Sequence, residues 1–489
     1  MSIGTSIRAP ATYGRSGGVS AKQAALIGVP ATLCIAALAT RYPIEVLGLL
    51  VALILVALVV LQPAVGLVSL LALEPFWGAF YTYFHEVRGL HFGPLTLGKD
   101  ALIVGLLIRA IAYDVWQTRQ LRIPRSGADR LIIAYVIYYV VLAVASPNLK
   151  VGAYGAARVI EGPLLMFALI YLRPSRRTLI ACSAAIVGAA AVIGIGALVE
   201  HFIMQDGFQT WYGAPKPALN SSFYSSQGTD YRSGSFLASP LTLAFYLATA
   251  GPVAIGLASA VRVRWRPLAI IGGALCFAGV AVTVTRSGYI GAGVGAVVTV
   301  ALATRNPARR FALVGLVTVS IGVAVIGSIA SGNEALLRSH ESGSHADALQ
   351  QDTDLILARP FGHGIGTTDY VAQRFRDVVG SSGQSTESAF LAKGVEGGIP
   401  ALALYLVVIY VVLMRLRTVR RRCNCRGDPA GAALAAGAIG SVLALMGCSL
   451  FLGIEELVVE LVVWGAVGIA VAYAAAEPLD QRTNLRART

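Results

Sequence analysis

Arg232 stands in the run Tyr231-Arg232-Ser233-Gly234-Ser235-Phe236, and Arg286 in Thr285-Arg286-Ser287-Gly288. Each arginine is followed at once by Ser-Gly. A guanidinium fork grips phosphate through paired hydrogen bonds, and glycine lets the backbone come close to a ligand. The repeated pattern points to an anion site. A plainer reading competes with it: each arginine caps a helix end and snorkels toward lipid headgroups.

A second group of candidates follows later in the chain. Arg359-Pro360-Phe361-Gly362-His363-Gly364-Ile365-Gly366 is a glycine-rich turn that ends an amphipathic stretch. It is not a phosphate-binding P-loop, because no Gly-Lys-Ser/Thr follows. Beyond Arg374, the run Thr386-Glu387-Ser388-Ala389-Phe390-Leu391 leads into an apolar segment. Glu387 is either an N-terminal cap for that helix or a general base at the membrane surface. His363 is either a turn residue or a second base. His340 and His345 lack a spaced third ligand, so no metal site is expected.

The elements that carry these residues are membrane helices. Of 489 residues, 56% are hydrophobic and only 13% charged, and the mean hydropathy is +0.70. A soluble domain carries about 25% charged residues, so a water-soluble enzyme is excluded. A disordered chain would need the opposite balance. Fourteen apolar runs approach the length of about 20 residues that spans a bilayer. They cover 24–40, 43–61, 64–84, 98–113, 131–146, 157–172, 178–202, 236–260, 267–284, 288–303, 311–330, 388–414, 430–452 and 456–476. The expected fold is therefore all-α, a polytopic transmembrane bundle of about 14 helices (12–14). A polar tail, 1–23, precedes one membrane domain, 24–476, and a second tail, 477–489, follows it.

The formal net charge of +14 belongs to orientation rather than to nucleic acid. Most of the Lys and Arg fall in alternate short loops, with the largest cluster between Arg415 and Arg426. The inside-positive rule then places both termini in the cytoplasm. All six histidines and the two longest loops, 203–235 and 331–387, fall on the outer side. Loops of that length are commonly functional. Within the second, 345–359 and 367–379 have the pattern of short amphipathic helices lying on the outer face. Four cysteines (Cys34, Cys182, Cys276, Cys448) lie inside apolar runs, and no disulfide framework is implied.

The order of these motifs resembles the O-antigen ligase and Wzy-type polymerase superfamily. The matching elements are Arg232-Ser-Gly-Ser-Phe-x-x-x-Pro240, Thr285-Arg286-Ser-Gly, Pro360-Phe-Gly-His-Gly-Ile-Gly366, and Glu387-Ser-x-Phe-Leu followed by Glu396-Gly-Gly-Ile. The resemblance covers roughly residues 200–415. It implies a GT-C-like, inverting, metal-independent glycosyltransferase in the bacterial cytoplasmic membrane. Such an enzyme moves a glycan from a polyprenyl diphosphate carrier to an acceptor hydroxyl on a glycan, a lipid or the wall. On that resemblance Arg232 and Arg286 bind the diphosphate. Ligases of this family place His-Asn where this chain has Glu387-Ser388, which tilts the expectation toward a polymerase, with a ligase close behind.

The expected catalytic residues are Glu387, Arg286 and Arg232. Tyr231, Tyr289, His363, Arg359 and Arg374 join the two arginines in the expected substrate site, with no cofactor. Other envelope-assembly proteins are possible partners. Two other classes fit the composition: a flippase for lipid-linked sugars, and a scaffold without catalysis. Transporters tend to place ionisable groups near the bilayer midplane, whereas the suggestive charges here gather at one face.

Overall fold

A computed structural model gives the architecture. It describes residues 59–89, 98–118, 126–146, 148–213, 231–304, 339–368, 388–450 and 457–476, with a few isolated positions besides. The expected spans 24–40 and 311–330, most of 43–61, and both tails lie outside the described residues.

Among the described residues the secondary structure is helical, with no β-strand. The main elements are α1 (Pro63–Leu73), α2 (Gly98–Thr118), α3 (Gly127–Val144), α4 (Leu149–Leu172), α5 (Arg176–Val199) and the short α6 (Asp206–Trp211). They continue with α7 (Pro240–Ala260), α8 (Arg266–Val282), α9 (Arg286–Ala303), α10 (Ser339–Ala358), α11 (Ala389–Cys425), α12 (Pro429–Ser449) and α13 (Leu457–Ala475). Among the described residues ten helical stretches are long and apolar enough to cross a membrane, the first running from Pro63 through further helical turns to Val87. The protein is a multi-pass helical bundle.

Local chemistry sets the helix starts. Ser126, Asn148, Ser175, Ser239 and Asp428 each accept a backbone N–H from the first turn that follows. Such caps satisfy donors the helix itself leaves open. Pro240 and Pro429 occupy first helical positions, where the missing N–H costs nothing. Ser239-Pro240 thus starts α7, four residues later than the apolar run 236–260 suggests.

The centre belongs to α7 and α12, both largely enclosed by other helices. Their contact depends on small residues. A Cβ on Gly256 would lie 2.8 Å from Ala433 O and 3.0 Å from Gly437 Cα. A Cβ on Gly440 would fall 1.9 Å from Thr299 Oγ1 of α9. Membrane helices associate through this kind of close approach because lipid offers no hydrophobic drive between them.

Topology puts the starts of α9 and α11 and the end of α5 at one end of the bundle, here called the motif end. The opposite end is laced by arginines. Arg415 donates to the Asp129 carboxylate, a pair largely buried. Arg176 pairs with Asp428 at 2.9 Å and donates through Nε to Ala476 O at 3.1 Å. Arg420 donates twice to Leu302 O, at 2.7 and 3.2 Å. The carbonyls at the ends of α9 and α13 are satisfied in this way.

Candidate functional site

The segment 231–235 is pressed onto the last turns of α5. Ser233 Oγ donates to Ala197 O at 3.0 Å, and Ser235 Oγ donates to Ile193 O at 2.9 Å. These carbonyls lie four residues apart, one turn of α5. A Cβ on Gly196 would stand 2.7 Å from Ser235 Oγ, so the glycine admits the segment. On its other side, Ser233 N–H donates to Val282 O of α8 at 3.2 Å.

Arg232 is therefore held between α5 and the turn that joins α8 to α9. Its Nε donates to Thr283 O at 3.1 Å and its Nη2 to Thr285 Oγ1 at 3.0 Å. Between those two partners sits Val284, with φ +49°. A β-branched residue with positive φ is a strained conformation, costing about 1–3 kcal/mol and persisting only where the surroundings enforce it. Arg232 brackets the strained residue from both sides.

That turn also begins α9, with Arg286 at the first helical position. Thr285 is the N-cap residue, yet its hydroxyl makes no capping bond. It donates to Thr283 O at 3.1 Å and accepts from Arg232. The start of α9 thus carries helix N–H groups without a side-chain cap, beside two arginines. A helix N-terminus is electropositive and suits anions. Tyr289, one turn into α9, donates its hydroxyl to Ala281 O at 2.8 Å.

The glycine-rich turn forms a second cluster against the first turns of α11. His363 N–H donates to Val395 O at 2.8 Å, Gly364 N–H to Glu396 O at 3.0 Å, and Ile399 N–H to Pro360 O at 2.8 Å. Glu396, 4% exposed, receives Gly366 N–H at 2.9 Å and the Thr368 hydroxyl at 2.8 Å. Gly362 has φ +89° and lies so close that a Cβ would meet Glu396 O at 2.3 Å. The buried Lys393 lies over the rings of Tyr139 and Tyr405, with Nζ 5.4 and 5.7 Å from their centroids.

The two clusters flank the end of α12. A Cβ on Gly291 of α9 would strike Cys448 Sγ at 2.2 Å. Ser388, the N-cap of α11, donates its hydroxyl to Ser449 O at 3.0 Å instead of capping its own helix. Two uncapped helix starts therefore border residues 448 and 449.

The expected site residues divide accordingly. Tyr231, Arg232, Arg286 and Tyr289 gather where α5, α8 and α9 meet. His363 and the exposed Arg359 belong to the second cluster, where His363 Nε2 lies 3.3 Å from Leu355 O. Glu387 and Arg374 lie outside the described residues. The amphipathic stretch 345–359 falls in α10 up to Ala358, and that helix packs on α11, whereas most of 367–379 is outside the described residues.

One participant is not visible as such in the sequence. Glu200, 0% exposed at the end of α5, accepts from Gln209 Nε2 at 2.6 Å, Tyr231 Oη at 2.8 Å and Ser235 N at 2.5 Å. Gln209, also 0% exposed, accepts in turn from the Tyr212 hydroxyl. Burial, with the Glu200 charge adding to it, holds the Tyr212 phenol well above its ordinary range, so it remains a donor. The only sequence signal is a carboxylate closing a long apolar run, a costly placement that calls for partners.

The architecture is that of a polytopic helical membrane protein with its motif residues gathered at one end. Residues 271–406 match the family described as O-antigen ligase. The matched stretch runs from α8 into α11 and contains Arg286, the glycine-rich turn and Glu396; Arg232 precedes it. The match supports the resemblance to the O-antigen ligase and Wzy superfamily and indicates a glycan-transferring enzyme of the ligase or polymerase type. No curated protein matches the chain.

Proposed function

We propose that the protein transfers a glycan from a polyprenyl diphosphate carrier to an acceptor hydroxyl at the outer face of a bacterial cytoplasmic membrane, both termini lying in the cytoplasm. The observation that carries this reading is the 3.0 Å bond from Arg232 Nη2 to Thr285 Oγ1, next to Arg286 at the start of α9. It draws two arginines, 54 positions apart in the sequence, and an uncapped helix start into one corner.

The chemistry is a single displacement. The acceptor oxygen attacks the anomeric carbon, the bond from that carbon to the diphosphate oxygen breaks, and the electron pair leaves with the diphosphate. Configuration inverts. Negative charge grows on the leaving group as the bond breaks, and fixed cations and helix N–H groups stabilise it. Metal is not required for that role. Arginine stays protonated and cannot be the base, so Glu387 takes the proton of the acceptor hydroxyl. The carrier enters laterally between helices, and the segment 331–387 covers the sugar. Polymerisation is favoured over ligation because Glu387-Ser388 replaces the His-Asn of ligases.

The test is incubation of the purified full chain with polyprenyl diphosphate-linked glycan. A polymerase lengthens the lipid-linked chain, and a ligase moves the glycan to a separate acceptor. Arg232→Lys should lower transfer by about a hundredfold, because a point-charge ammonium cannot replace a bidentate fork. Lipid-linked glycan crossing the bilayer without transfer would instead favour a flippase.

A further inference from the structure

We infer that Glu200 is the positioning residue for Arg232, a buried carboxylate whose task is to fix the backbone from which the diphosphate-binding guanidinium projects. The inference deepens the proposed function and rests on its assignment of Arg232 to the diphosphate.

Every hydrogen bond described for the Glu200 carboxylate comes from the Arg232 segment or from what supports it. Tyr231, immediately before Arg232, donates its hydroxyl at 2.8 Å. Ser235, three residues after Arg232, donates its backbone N–H at 2.5 Å. Gln209 bridges the two sides: its Nε2 reaches Glu200 Oε1 at 2.6 Å and Ser235 O at 3.0 Å. Tyr212 adds a bond to Ser235 O at 3.0 Å. Ser235 itself has φ +48°, a conformation that a non-glycine residue keeps only when its surroundings insist. Arg232 is thereby tied down on both flanks before its side chain reaches the 283–285 turn.

A carboxylate suits this place for a reason of counting. Three donors converge on it, and a carboxylate offers only acceptors. A carboxamide of the same shape has one acceptor oxygen and would set its own N–H groups against a facing donor. Glu200→Gln should therefore disturb the segment although it removes no volume. Losing one strong buried hydrogen bond to a charged group is a tenfold or larger effect, on the order of that expected from its magnitude.

The experiment is a double-mutant cycle on the full chain in lipid, with a polyprenyl diphosphate-linked glycan as donor. Half-saturating donor concentration, maximal rate and thermal midpoint are measured for the wild type, E200Q, R232K and the double variant. If Glu200 acts through Arg232, E200Q raises the half-saturating concentration about tenfold, and the double variant is no worse than R232K. Multiplied defects would overturn the inference, since independent sites add in free energy. So would wild-type donor dependence in E200Q. If E200Q fails to fold, Tyr231→Phe removes one of the three donors and serves in its place. It should raise the half-saturating concentration a few-fold, again without adding to R232K, and wild-type behaviour would overturn the inference. A wild-type R232K would sink the diphosphate reading and the inference together, a pattern distinct from failure of the inference alone.

Discussion

The two ends of the bundle use the same side chain for different work. At the end opposite the motifs, Arg420 caps one carbonyl in the last turn of α9, Arg176 reaches Ala476 O at the end of α13, and Arg415 and Arg176 also meet carboxylates. Arg420 and Arg176 reach the carbonyl ends of helices, where positive charge is favoured, and Arg415 and Arg176 face carboxylates at helix starts. At the motif end Arg232 likewise donates to a carbonyl, Thr283 O, but its second bond goes to the residue that starts α9. Positive side chains there stand beside a positive helix end. Arg232 thus bridges the carbonyl end of α8 and the N–H end of α9, and on the proposed function the N–H end faces the anion. At the motif end Glu200 and Glu396 accept from backbone N–H groups and hydroxyls of the motif loops; at the opposite end Asp129 and Asp428 add an arginine partner to bonds of that kind. On the proposed function, one end anchors the helices and the other holds charge in place for a ligand.

Lesions at the two ends should therefore separate stability from donor recognition. The largest stability effect is expected for Asp129→Asn. It breaks a largely buried pair with Arg415 and should cost about 3 kcal/mol or more, with the half-saturating donor concentration of the remaining folded protein unchanged. Unfolding by denaturant together with donor titration checks both parts; a shifted donor dependence would break the comparison. Gly362→Ala comes next. Its Cβ would collide with Glu396 O, so the glycine-rich turn should lift from α11 and transfer should fall about tenfold or more, in line with the 1–3 kcal/mol cost of overpacking. Arg420→Lys should leave transfer within about twofold of wild type, because a lysine can still cap a helix end. The smallest effect on stability belongs to Val284→Gly. It relieves the positive φ and should raise the thermal midpoint slightly or leave it unchanged, while loosening the turn that Arg232 holds enough to lower transfer a few-fold.

Much of the fold is legible in the sequence because hydropathy over some 20 residues is a strong signal. The runs 178–202, 267–284, 288–303 and 430–452 correspond closely to α5, α8, α9 and α12. The run 157–172 is shorter than its helix: α4 begins at Leu149, and Lys150 and Arg158 break the apolar pattern without breaking the helix. The candidate site is legible in part. Arg232 and Arg286 stand out because Ser-Gly follows each. Their meeting at one turn does not, since Arg232 and Thr285 are 53 positions apart. Glu200 is hidden for the same reason, as its partners lie 9, 31 and 35 positions away. The diversion of the Thr285 and Ser388 hydroxyls from capping is likewise a property of packing, because both residues are good N-caps on paper.

The most direct measurement is a binding titration of polyprenyl diphosphate, against polyprenyl monophosphate, on the full chain in lipid for the wild type, R232K and R286K. The account predicts that wild type prefers the diphosphate and that each substitution removes most of that preference while the helical fold persists. A preference that survives in both variants would contradict it.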